Sequence, residues 1–265
     1  MQKNGRFILM DIHEFEVYIQ ALKVGFSRKI THIQEHHTFI PSYSDFTGDN
    51  YFQRQQAMEA YHISIGFGQI AQHFTIFPDG MIVTGRPLSV TPACIKGHNT
   101  GGICIENLGN FDLKQDVMNE AQQHSVINAT ALLCNKFGLP VNTTSIVYHH
   151  WFRQSDGLRD NAADELVLDG HKTCPGTNFF GGNRVADAEK NFIPKVAKAA
   201  RDYQASAGKN KGTVTASVLN VRSGPGVSFK ILRQIIKGAP VTIYARKNNW
   251  LRISKTEWVS GSFVS

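Results

Sequence analysis

Apolar residues recur along this chain with two periods, and the switches between them mark out its elements. Behind Asp11, Ile12, Phe15, Ile19 and Leu22 fall on one helical face, and Glu14 completes a capping-box-like start. Ile30-Thr31-His32-Ile33-Gln34 then alternates as a strand that ends at His36. Adjacent strand residues project to opposite faces, so at most one of His36 and His37 enters a given site. Tyr51, Phe52, Met58 and Tyr61 pattern a second helix over residues 49–62, broken by Gly66-Phe67-Gly68. The β-rich runs His73–Phe77 and Met81–Val83 flank Pro78-Asp79-Gly80, a hairpin turn signal. Ile103-Cys104-Ile105 reads as a buried strand, followed by a long helix from about Asp116 to Phe137 that Gly138 and Pro140 stop. Ser145–Tyr148 is a short strand delivering His149. A polar loop with Arg153, Asp156, Arg159, Asp160 and Asp164 leads on to Cys174, and a last helix spans Asp187 to Tyr203. Strands interleaved with helices predict an α/β domain, a mixed central β-sheet flanked by helices.

The pattern changes after residue 205. Residues 206–212 are small, polar and aperiodic, as expected of a linker. Beyond them, Thr213–Thr215, Val218–Val221, Val241–Tyr244, Trp250–Ile253 and Glu257–Val259 are short strands separated by Gly, Pro, Ser and Asn. Residues 213–265 therefore read as a small all-β barrel. It has Glu257 as its one carboxylate against Arg222, Lys230, Arg233, Lys237, Arg246, Lys247, Arg252 and Lys255.

Composition narrows the partners. The 265 residues carry a net charge of +7 and a pI near 9.2, which favours an anionic partner such as nucleic acid or a wall polymer. No apolar run approaches a membrane span, and Phe7–Met10 is too short for a signal-peptide core. The cysteines at 94, 104, 134 and 174 show no CxxC pairing, so the chain reads as made in a reducing compartment. Two histidine doublets, His36-His37 and His149-His150, and Cys174 lie on three separate segments. Imidazoles and a thiolate suit a catalytic zinc whose fourth position is left to water, and such spacing requires a globular fold to assemble it.

Several motifs keep the order and spacing of one family. They are Glu35-His36-His37-Thr38, Ile70-Ala71-Gln72-His73-Phe74, Pro78-Asp79-Gly80, Gly85-Arg86-Pro87, Gly97-His98-Asn99, Ile103-Cys104-Ile105-Glu106 and Lys172-Thr173-Cys174-Pro175-Gly176. Through them residues 1–205 resemble the zinc amidases that hydrolyse N-acetylmuramoyl-L-alanine bonds, a group related to phage lysozymes and to the peptidoglycan recognition proteins. Leu219–Pro225 and Trp258-Val259 resemble bacterial SH3 (SH3b) domains, which bind cell wall.

The resemblance implies one zinc ion held by His36, His149 and Cys174, the leading histidine of each doublet being the one that matches. It implies Glu106 as general base and Lys172 as stabiliser of the oxyanion. Gln72 stands where the lysozyme branch has a tyrosine, and a glutamine cannot exchange that proton. His37, Gln72, His73, His98, Asn99 and His150 are expected along the substrate groove. Cys94, where many relatives have histidine, is expected as a small buried residue. The implied activity is peptidoglycan hydrolysis at the cell wall by a phage or prophage endolysin or an autolysin. A muropeptide-binding protein without activity is the alternative, and the Cys174 ligand argues against it. The chain lacks an interleaved aromatic and basic motif outside the barrel, which sets nucleic acid aside.

Overall fold

A computed structural model describes residues 1–22, 25, 27–160, 165–206, 211–254 and 256–265. The chain divides into two units, Met1–Ala200 and Arg201–Ser265.

In the first unit, seven strands form one sheet: β1 (Gln2–Asn4), β2 (Phe7–Met10), β3 (His32–His37), β4 (Phe74–Ile76), β5 (Ile82–Thr84), β6 (Gly102–Asn107) and β7 (Ile146–Tyr148). Their order is β1-β2-β5-β4-β6-β3-β7. β4, β6, β3 and β7 run parallel, whereas β1, β2 and β5 form the antiparallel flank. The hairpin expected at Pro78-Asp79-Gly80 joins β4 to β5. Gly80 takes φ +82°, and a Cβ there would lie 2.7 Å from the Ala121 carbonyl oxygen, so glycine is required.

Helix α1 (Ile12–Ala21) starts with the expected capping box: the Asp11 carboxylate accepts from Glu14 N and Glu14 accepts from Asp11 N. Phe15 packs edge-on against Phe74. Helix α2 (Tyr51–Ser64) sets Met58 into a cluster with Phe7, Leu9, Ile70, Phe77 and Val83. Helix α3 (Glu120–Phe137) begins later than its sequence pattern indicates. Asn119 caps it, while the Asp116 carboxylate accepts from Tyr43 N and Asn110 N and so holds the preceding turn instead. Gly138 ends α3 in the left-handed conformation at φ +65°. The last helical stretch is not one regular helix. It comprises α4 (Val185–Asp187), a π-turn over Ala188–Phe192, and α5 (Ile193–Ser206).

The second unit has β8 (Lys211–Thr213), β9 (Val218–Arg222), β10 (Ile231–Ile236), β11 (Pro240–Thr242), β12 (Ala245–Lys247), β13 (Trp250–Arg252) and β14 (Trp258–Ser260). They form a five-stranded sheet, β10-β9-β14-β13-β12, and the pair β11-β8. Val214, Leu219, Val221, Val241, Ile243, Leu251 and Val259 make its core. Of the expected linker, 207–210 lie outside the described residues, Ser206 ends α5, and Lys211 and Gly212 already belong to β8. In the polar loop, Asp164 also lies outside the described residues. No described helix is long and apolar enough to cross a membrane.

Candidate metal centre and cleft

The parallel strands bring the chemistry together at their carboxyl ends, the usual location of a site in such sheets. In the β3–β6 register His36 lies opposite Glu106 and Gln34 opposite Cys104, so these four share one face. Glu35 points the other way, toward α3, where Thr130 and Asn107 hydrogen-bond its carboxyl group. β7 pairs with β3 from the other side and delivers His149 just beyond its end.

Cys174 arrives on the segment after His171. Gly176, at φ +120°, passes so close to Phe111 that a Cβ would lie 2.5 Å from its carbonyl carbon and oxygen. Asn178 N donates to Phe111 O at 2.8 Å, and His150 N donates to Cys174 O at 2.7 Å. These contacts fix the cysteine against the sheet.

His36 Nδ1 lies 3.2 Å from His149 Nδ1 and 3.3 Å from Cys174 Sγ. The three ligand atoms lie within 4.8 Å of one another. Tetrahedral zinc with ordinary bond lengths holds two nitrogens about 3.3 Å apart and a nitrogen and a sulfur about 3.6 Å apart. The residues present fit that ion. Burial holds the imidazoles of His36 and His149 neutral, His36 well below its usual pKa and His149 down to about 3, and pushes the Cys174 thiol up. Two neutral imidazoles in contact with a sulfur are a donor set for a cation, which would bind the sulfur as thiolate. The His37 backbone N–H already points at that sulfur, 3.4 Å away.

A cleft of about 610 Å³ opens over this group. Glu106 and Gln72 line it together with His37 and Lys172. Burial pushes Glu106 up to about 8; the Lys172 ammonium opposes this and Glu35 adds to it. Glu106 Oε2 has no hydrogen-bond partner among the described residues. Gln72 donates to Thr75 Oγ1 at 2.9 Å, which aims its amide within the wall. Phe39, Ile40, Tyr61, Ile65 and Phe67 supply an exposed apolar rim.

Four residues expected along the groove do not line the cleft and hold its walls instead. His73 is fully buried; its Nδ1 accepts from Cys104 N at 3.0 Å and its Nε2 donates to Val90 O at 3.0 Å. It thereby ties β6 to the loop over residues 87–101. His98 stacks between His32 and Phe152, at centroid distances of 4.2 and 4.4 Å. Asn99 Oδ1 accepts from the Cys94 and Ile95 amides. The His150 ring contacts Lys172 O and Glu165 O, strapping the segment that carries Cys174. Arg86, unremarked in the sequence beyond its motif, donates to the carbonyls of Phe67, Gln69, Ile70 and Thr91, and so clamps both loops at one end of the cleft.

Cys94 is half-buried and lines the cleft rather than lying buried as expected, and its disulfide to Cys104 corrects the reading of a wholly reduced chain. The separation of 10 residues matches no CxxC spacing; the turn through Asn99 and Gly101 folds the loop back onto β6. The buried free cysteines are Cys134 and Cys174.

The sequence profile of the family described as N-acetylmuramoyl-L-alanine amidase matches residues 26–177. That of the bacterial SH3 domain matches residues 217–265. Among solved structures, the N-acetylmuramoyl-L-alanine amidase LysC from Clostridium intestinale URNW is 24% identical, with a TM-score of 0.42 over 60% of this chain and 85% of that one. Wild-type Drosophila PGRP-LB is 22% identical, with a TM-score of 0.45 over 62% and 82% of the two chains. Apis mellifera PGRP-SA is 18% identical, with a TM-score of 0.42 over 61% and 82%. No curated protein matches the chain.

Burial holds the wall histidines neutral, His73 down to about 3 and His32 to about 4. In the unfolded chain an imidazole takes up its proton near pH 6.5, whereas these two do not until far lower. Their contribution to stability is complete above about pH 6.5 and is lost as pH falls toward the folded values. The Tm of the metal-free chain should therefore drop between pH 7 and pH 5, and His73→Gln should show a shallower drop. Calorimetry at the two pH values checks this.

Proposed function

Because the chain belongs to the N-acetylmuramoyl-L-alanine amidase family, we propose that it hydrolyses the amide joining N-acetylmuramic acid to the L-alanine of the peptidoglycan stem, using one zinc ion on His36, His149 and Cys174. The observation that carries this reading is the convergence of those three donors beside an unpartnered carboxylate at the floor of one cleft. The ion, when bound, supplies a Lewis acid that polarises the amide carbonyl and makes water nucleophilic at neutral pH.

The remaining work falls to the chain's own groups. Glu106 takes a proton from the attacking water and returns it to the departing alanine nitrogen, so the C–N bond breaks to a lactyl carboxylate and a free amine. Burial raises the Glu106 carboxyl in the metal-free cleft, and a cation on the adjacent ligand set would favour the carboxylate that the base role needs. The Lys172 ammonium offsets the negative charge that develops on the carbonyl oxygen. Gln72 has no titrating group and is assigned to substrate orientation, alongside His37. A protein that only bound muropeptide would have no use for the proton-accepting carboxylate beside the ligand set.

The barrel over residues 213–265 is assigned to wall binding, its excess of Lys and Arg suiting anionic wall polymers. The amidase unit then acts at the bacterial cell wall, as a phage or prophage endolysin or an autolysin does. Tethering raises its local concentration there without adding a catalytic contact.

Two variants test the catalytic reading by metal analysis and muropeptide turnover. With the Cys94–Cys104 disulfide intact, Cys174→Ala should lose zinc and activity together. Glu106→Gln should keep zinc while turnover falls by roughly two to four orders of magnitude. Full zinc in the first or an unchanged rate in the second would overturn the corresponding role. For the barrel, a fragment ending near residue 206 should cleave a small soluble muropeptide at the full-length rate but sediment less with purified walls. Salt should shrink that difference. Equal sedimentation would refute the anchor.

A further inference from the structure

A second group of side chains around His36 has the make-up of a metal site. Both sulfurs of the Cys94–Cys104 pair lie within 4.8 Å of a ring nitrogen of His36. Cys104 is buried on β6 two residues before Glu106 and projects from the same face. Cys94 lines the cleft, so a small reductant entering the cleft can reach the bond. His36 is 2% exposed; its Nδ1 faces His149 and Cys174, and its Nε2 has no hydrogen-bond partner among the described residues.

The loop that carries Cys94 is held independently of the disulfide. Asn99 Oδ1 accepts from Cys94 N at 2.8 Å, His73 donates to Val90 O, and Arg86 donates to Thr91 O at 2.8 Å. Opening the disulfide therefore leaves both thiols close to His36.

We propose that Cys94 and Cys104, once reduced, form with His36 a second site for a zinc-class cation, and that its occupation excludes the His36–His149–Cys174 site. The exclusion half of this proposal rests on the catalytic ligand set assigned above. A dithiol supplies two electrons and two protons to the protein disulfide and becomes a disulfide itself. The two cysteine thiols then release their protons to solvent as they bind the cation. A neutral imidazole offers one acceptor nitrogen, so His36 serves one cation at a time. Thiolates attract a soft divalent ion more strongly than imidazole does, so the reduced chain holds the ion on the two-thiolate set. There it lacks His149 and Cys174, and the amidase is silent until a small-molecule disulfide takes up the two electrons, itself becoming two thiols, so that the Cys94–Cys104 bond re-forms and frees the ion.

Cobalt(II), whose thiolate charge-transfer absorption counts sulfur ligands, tests this on the full chain without oxygen. Oxidised wild type should bind one cobalt with one thiolate. After dithiol treatment and removal of the reductant, binding should remain one per chain while the charge-transfer absorption per ion rises about twofold, as one thiolate becomes two. Cys174→Ser should bind cobalt only when reduced, and His149→Ala should show the same dependence, which guards against one variant misfolding. A Cys94→Ser, Cys104→Ser double variant should be indifferent to dithiol. No cobalt in either reduced single variant, two ions per reduced wild-type chain, or a spectrum unchanged by reduction would overturn the proposal. Failure of the catalytic assignment would instead appear as oxidised wild type that binds no cobalt.

Discussion

The register of three parallel strands is the constraint on which the rest depends. β3 is paired on both sides, with His36 opposite Glu106 on β6 and Glu35 opposite Tyr148 on β7. Side chains alternate faces along a strand, so a slip of one residue would turn His36 toward α3 and Glu35 into the cleft. The helix side resists that slip: Ile33, Ile103, Ile105, Ile146 and Tyr148 are all fully buried there. The packing of the apolar layer thus selects which polar face reaches the cleft, and no separate device is needed to align His36 with Glu106.

A site so deeply buried carries an electrostatic cost that a cation can offset. Burial disfavours an imidazolium at His36 or His149, a thiolate at Cys174 and a carboxylate at Glu106 alike. Left alone, the group is uncharged apart from the exposed Lys172 at its rim. A divalent ion favours the thiolate and the neutral imidazoles that burial already imposes, so metal binding and the low-dielectric setting act in the same direction. The surrounding polar residues, Arg86, His73, Asn99 and His150, spend their hydrogen bonds on loop carbonyls and amides, which fixes the cleft walls.

Much of this was legible in the sequence, because periodicity and spacing carry it. The capping box at Asp11, the Pro-Asp-Gly hairpin, the Gly138 stop and the change of pattern before the barrel are all local signals. The strand Phe7–Met10 was not legible, since an apolar run that short lacks a period. Nor was Ile231–Ile236, an edge strand largely exposed and so free of alternation. The Cys94–Cys104 pairing depends on a loop folding back on β6, and the roles of His73, His98, Asn99 and His150 depend on which way each ring or amide faces. Such properties belong to tertiary packing rather than to spacing.

On the proposed function, the cleft directs hydrolysis at one amide. Mass spectrometry of purified peptidoglycan digested by the oxidised, zinc-loaded chain measures this most directly. The proposed activity predicts stem peptides with a free L-alanine amino terminus and intact glycan strands whose N-acetylmuramic acid residues carry free lactyl carboxylates. New reducing sugar ends, cuts within the stem peptide, or an undigested wall would contradict it.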